Sequence, residues 1–127
     1  MKILIIDDEI SAATTLQALL KNSGYDSEVA YDGKTGLKKM TEDSYDILIL
    51  DVMMPDFSGI DVCRAMSKDD KLKKIPVLLA SALPITSREL SELLNEFKAS
   101  NVVKGAIEKP YVIEDMVEEI EKIAHAA

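Results

Sequence analysis

Five polar residues stand just beyond apolar runs, and together their types point to one chemistry. Asp7 and Asp8 follow "KILII", Asp51 follows "YDILIL", Ser81 follows "IPVLLA", and Lys109 comes shortly after "VVKGAI" and directly before Pro110. Each has an ordinary explanation by itself. An Asp pair suits the turn into a helix, a strand can simply end at Asp51, Ser81 suits a loop, and Lys-Pro suits a turn. If the runs are neighbouring parallel strands, however, the three carboxylates converge. Three carboxylates a few ångströms apart repel one another unless a cation sits among them. Oxygen donors with no His or Cys beside them select a hard ion such as Mg²⁺. Lys109 adds a second positive charge, and a cation and a lysine beside a carboxylate would also stabilise a phosphoryl group placed on it. Ser81 can donate a hydrogen bond to a phosphoryl oxygen. The residues therefore support a metal-assisted phosphoryl acceptor.

That chemistry needs elements to deliver it. Lys2–Ile6, Tyr45–Leu50, Ile75–Ala80 and Val102–Ile107 read as strands covered on both faces, and Ser27–Tyr31 as an edge strand. Between them lie helical stripes. Ala12, Leu16, Leu19 and Leu20 form the first, and Leu90, Leu93, Leu94 and Phe97 another. A third joins Ile113, Met116, Val117, Ile120 and Ile123, with Glu114, Asp115, Glu118, Glu119 and Glu121 available for the opposite side. Residues 33–43 and 58–68 are weaker helix candidates. Gly24 is a plausible stop for the first helix, Ser58 an N-cap for the third, and Asp32 beside Gly33 reads as a turn. Strand and helix alternate five times, which implies right-handed crossovers and one three-layer α/β domain over residues 1–127. In such sheets, sites form beyond the carboxyl ends of the strands.

Bulk properties narrow the partners. The chain has 127 residues, 15 basic and 23 acidic, and a net charge of −8. That balance disfavours direct binding to nucleic acid or an anionic membrane, because phosphate binding needs clustered Lys and Arg. Cys63 is the single cysteine, so no internal disulfide is available. It reads as a small buried hydrophobe, and the cytoplasm is the expected location. The sole histidine, His125, lies in the tail and reads as incidental.

With these residues placed, the chain resembles a response-regulator receiver domain of two-component signalling, of the chemotaxis-regulator kind. The motifs are "IIDDE", "LDVMMPDFSG", "ASA" and "EKP", in order and each at a strand end. The resemblance implies a flavodoxin-like (βα)5 sandwich with strand order 2-1-3-4-5. It implies that Asp51 takes a phosphoryl group from a histidine kinase or histidine phosphotransfer protein and signals to a downstream output protein or domain. It further implies that Asp8, Asp51 and the backbone carbonyl of Met53 bind Mg²⁺, with Asp7 acting through a water. Lys109 would pair with Asp51 or its phosphoryl group, Ser81 would move toward that group, and the Lys109–Pro110 bond would be cis. Such a domain assists its own phosphorylation and dephosphorylation and turns over no independent substrate.

Two features depart from the family pattern. Ala106 stands where Tyr or Phe is common, so an aromatic relay from that position is unavailable; nearby Tyr111 is not assumed to replace it. The stretch between Ser81 and Lys109 is also long. "SALPITSREL" suggests a loop with Pro84, the apolar Leu83 and Ile85, and Thr86 or Ser87 capping a longer fourth helix. Both departures fall on the fourth-helix to fifth-helix face, which many receivers use for output or homodimerisation. Rival readings are a receiver-like interaction module that signals without phosphorylation, an aspartyl phosphohydrolase and a flavin carrier. The phosphohydrolase lacks its second acid, because Met53 occupies that position, and no Ser/Thr/Gly-rich phosphate loop follows the first strand.

Overall fold

In the computed structural model, residues 1–82, 88, 91, 92, 95 and 102–125 are described. The chain runs β1 (Lys2–Ile6), α1 (Ile10–Asn22), β2 (Asp26–Ala30), α2 (Gly33–Glu42), β3 (Ile47–Asp51) and α3 (Gly59–Ser67). A short 3-10 turn (Leu72–Lys74), β4 (Val77–Ser81), β5 (Val103–Glu108) and a last helix (Ile113–Ala124) follow. The five strands form one parallel sheet in the order β2-β1-β3-β4-β5. This is the flavodoxin-like order expected above, and its direction reverses between β1 and β3, the switch point at which open α/β sheets bind ligands.

Alternation along the strands sends side chains to two cores. Leu4, Ile6, Leu48, Leu50 and Leu79 pack with Met40, Val62 and Met66 of α2 and α3. Ile3, Ile5, Ile47, Ile49 and Leu78 pack with Leu16 and Leu20 of α1 and Met116 and Ile120 of the last helix. All five residues of β3 and of β4 are buried, which explains why their first four residues are unbroken apolar runs rather than alternating ones.

Strand β1 has the bounds its sequence suggests, whereas β3, β4 and β5 lie one or two residues further on. Pro76 explains the shift in β4. It has no N–H to donate, so the regular strand starts at Val77 and runs through Ser81. Helix boundaries follow local chemistry. Asp32 caps α2 by accepting from the Thr35 amide at 2.8 Å, and Ser58 and Asp61 form a reciprocal capping box on α3. Gly24 follows α1 with φ 91°, a left-handed conformation that costs glycine little.

The buried stripe of α1 is Ala13, Leu16 and Leu20, while Ala12 and Leu19 lie toward its edge. Arg88, Ser91, Glu92 and Asn95 are helical, and Arg88 Nε donates to Glu92 Oε1 at 3.1 Å. The stripe Leu90, Leu93, Leu94 and Phe97, together with Leu83, Pro84, Ile85 and the Thr86 or Ser87 cap, lies outside the described residues. Among the described residues, no helix is long and apolar enough to cross a membrane.

Candidate functional site

The carboxyl edge of the sheet gathers the polar residues singled out above. Asp51 is the final residue of β3 and pairs in register with Ala80. Its backbone belongs to the ladder although its side chain is charged, because main-chain pairing does not depend on side-chain type. Asp7 and Asp8 follow β1, the neighbouring strand. Carboxylate oxygens of Asp7, Asp8 and Asp51 all lie within 4.8 Å of one another. Asp7 and Asp51 are buried and Asp8 is exposed, so the cluster has two walls and an open side.

Lys109 supplies the positive charge. Its Nζ stands 3.0 Å from Asp7 Oδ2 and 3.7 Å from Asp51 Oδ1. Its amide donates to the Ser81 carbonyl at 2.7 Å, which fixes the end of β5 beside the end of β4. The Lys109–Pro110 bond is cis. Ser81 is fully buried as the last residue of β4 and pairs with Glu108.

Neighbouring backbone shapes the acceptor. The Met53 amide donates to Asp51 Oδ1 at 3.3 Å, and the Glu9 amide donates to Asp7 Oδ1 at 3.0 Å. The Met53 side chain is 58% exposed, so its place at the site comes from its backbone. Asp56 has φ 65°, a left-handed turn in the loop leaving Asp51. A β-carbon on Gly59 would press on the Asp51 carbonyl and the Val52 backbone, so glycine is needed for α3 to start this close to β3.

Electrostatics distinguish Asp51 from an ordinary surface carboxylate. Burial pushes its carboxyl up to about 6, the charges of Asp7 and Asp8 push the same way, and Lys109 and the Met53 amide oppose them. Burial would lower the Lys109 ammonium, but its hydrogen bond to Asp7 and the charge of Asp51 outweigh that and hold it raised. The cluster is thus short of positive charge, with oxygen donors only and an open side. Those properties fit a divalent hard cation.

Other candidates separate from this site. Cys63 is buried in α3, and burial pushes its thiol up to about 12, which suits a packing role. His125 ends the last helix, with Nε2 2.8 Å from Glu121 Oε2. Ala106 packs partly buried on the α2–α3 side of the sheet. Tyr111 is on the other side, packed against the cluster of α1 and the last helix. It borders a groove of about 500 Å³ that Lys109 also lines. Reading the sequence did not place Tyr111 at the site. The signal available was its position two residues after Lys109.

Residues 3–121 match the family described as response regulator receiver domain. The chemotaxis protein CheY of Pseudomonas aeruginosa is 34% identical over 124 residues, covering 97% of this chain and 95% of CheY. Response regulator ArlR of Staphylococcus saprophyticus is 31% identical over 119 residues, or 94% of this chain. The match spans only 50% of ArlR, so this chain corresponds to about half of that relative's length. Among solved structures, the response regulator TrrA of Thermotoga maritima, in complex with Mg(2+)-BeF, superposes with TM-score 0.78 at 26% identity, covering 96% of this chain and 97% of TrrA.

Proposed function

The chain belongs to the response regulator receiver domain family, and from that premise we propose that Asp51 accepts a phosphoryl group in a His-to-Asp phosphorelay. The observation that carries this reading is a buried carboxylate at the end of the central strand, ringed by Asp7, Asp8 and Lys109. A lone pair on an Asp51 oxygen attacks the phosphorus of a phosphohistidine. The O–P bond forms as the P–N bond breaks, and the departing imidazole nitrogen keeps the electron pair. Lys109 is already 3.7 Å from Asp51 and offsets the charge that arrives. Ser81, buried at the end of β4, would donate to a phosphoryl oxygen once the group is present.

Mg²⁺ fits the donor set. Asp8, Asp51 and the Met53 carbonyl would hold it, with Asp7 acting through a water, and the ion would neutralise charge on the transferred group. That the similar TrrA is in complex with Mg(2+)-BeF supports Mg²⁺ as the ion.

In this reading residues 1–127 form one receiver domain with no independent substrate. The phosphodonor is a histidine kinase or a histidine phosphotransfer protein in the cytoplasm, and the output is a downstream protein or domain. The test is incubation with phosphoramidate and Mg²⁺ followed by intact mass. One acid-labile phosphoryl group on the wild type and none on Asp51→Asn is the expected result. An unlabelled wild type, or a label that persists in Asp51→Asn, overturns the reading.

A further inference from the structure

Lys109 carries a flexible four-carbon stem, whose rotamer entropy works against holding its ammonium in one place. Asp7 and Asp51 anchor its tip. Lys109 also lines an open groove of about 500 Å³. Helix α1 contributes Ala12, Leu16 and Leu19 to this groove, and the segment after β5 contributes Lys109, Pro110 and Tyr111. Glu9 lines it as well, so a competing carboxylate and bulk water are both available to an ammonium that turns toward the groove.

Tyr111 is the bulkiest of the side chains that line this groove with Lys109. It packs against the core shared by α1 and the last helix, and its phenol is within electrostatic reach of Lys109, Asp7 and Asp51. The protein's other tyrosines lie elsewhere. Tyr25 bonds to Glu121, Tyr45 lies under Lys2, and Tyr31 is exposed. On the opposite face of the sheet Ala106 offers no comparable ring.

We infer that Tyr111 is a positioning residue for Lys109: its ring closes the groove side of the stem and keeps the ammonium on Asp7 and Asp51 rather than on Glu9. This inference rests on Asp51 being the phosphoryl acceptor. The ring provides the wall and the hydroxyl is incidental, so Tyr111→Phe keeps the function and Tyr111→Ala loses it. The task differs from a relay at position 106, which would follow a movement of Ser81, because it is to hold the lysine in place.

Two measurements on the full chain test it. The first needs no phosphoryl transfer: acetylation of lysines by an N-hydroxysuccinimide ester, read by mass spectrometry. Lys109 in Tyr111→Ala should react several-fold faster than in the wild type, with Lys2 unchanged and Tyr111→Phe like the wild type. Equal Lys109 reactivity in Tyr111→Ala and the wild type overturns the inference. The second is the rate of phosphoramidate labelling. Tyr111→Ala should label about tenfold more slowly than the wild type, since displacing a catalytic group is costly. In a Lys109→Met background the same substitution should change the rate by less than about twofold, because its effect passes through Lys109. An equal effect in both backgrounds shows a merely structural role and overturns the inference. A wild type that takes no label overturns the phosphoryl-acceptor reading instead, and the acetylation result still decides whether Tyr111 holds Lys109.

Discussion

At the amino edge of the sheet Lys2 pairs with Glu28 and Asp43; at the carboxyl edge Lys109 pairs with Asp7 and Asp51. The two clusters are similar in composition and differ in burial. Lys2 is 35% exposed and lies 5.0 Å over the Tyr45 ring, and its carboxylate partners are more exposed than it is. There the hydrogen bonds from Lys2 hold the Glu28 and Asp43 carboxyls below their ordinary range. At the other edge burial and a third carboxylate dominate, and Asp51 is pushed up to about 6. One lysine satisfies two solvated carboxylates but not three crowded ones. The remaining demand for positive charge is what suits the carboxyl edge to a cation, whereas the amino edge is already balanced.

Removing each lysine gives the largest contrast. Lys109→Met leaves Asp7 and Asp51 buried with no cation, and at pH 8 it should lower stability by about 2–4 kcal/mol. Millimolar Mg²⁺ should restore much of that loss by replacing the missing charge. Lys2→Met should cost far less and show no response to Mg²⁺, because water solvates the partners it releases. Urea unfolding with and without Mg²⁺ measures both. Equal losses at the two edges would remove the distinction between them.

Next in size is the effect of pH on Asp51. Its folded-state pKa lies above the ordinary 3.8, so the folded chain keeps this proton longer than the unfolded chain does. The stability this contributes is complete below about pH 4 and is lost as pH rises through about 6, with a swing of about 1–3 kcal/mol. Glu28 and Asp43, held low, contribute with the opposite sign: their stabilisation is present above the ordinary carboxyl range and lost on acidification. Asp51→Asn should therefore be more stable than the wild type at pH 8 without Mg²⁺, and the two should converge near pH 4. Urea midpoints across that range would show it. A constant difference at all pH values would mean that ionisation of Asp51 is not the cause.

The contrast also separates what the sequence makes legible from what it does not. Uniform apolar runs mark β3 and β4 because both faces are covered, and residues just beyond such runs mark the site. Strand ends were displaced because burial pattern and ladder hydrogen bonding are different properties. Asp51 and Ser81 are polar yet still paired, while Pro76 is apolar by context and cannot donate. On α1, spacing alone chose Ala12 and Leu19 along with the core, though Ala13 takes the buried place and the other two line the groove. The Lys2 cluster was invisible because its partners come from β2 and the end of α2, and nothing local in the sequence pairs them. Tyr111 is hard to read for a related reason: its position after Lys109 does not reveal which side of the sheet its ring packs on.

The smallest expected effect lies within the amino-edge cluster and shows whether it is balanced. Asp43→Asn removes one carboxylate from Lys2 but leaves Glu28 at 2.9 Å and the Tyr45 ring beneath. Lys39 also approaches Glu28, at 3.4 Å, so charge remains distributed over several groups. The predicted change is a slight loss of stability near neutral pH that shrinks in high salt, since the pair is exposed and ions screen it. Thermal unfolding at low and high ionic strength can resolve such a shift when Lys109→Met is run beside it as the large reference. A salt-insensitive loss as large as that of Lys109→Met would show that Lys2 is as tightly committed as Lys109. Crowding of carboxylates, rather than the mere presence of a lysine among them, would then no longer explain why the two edges differ.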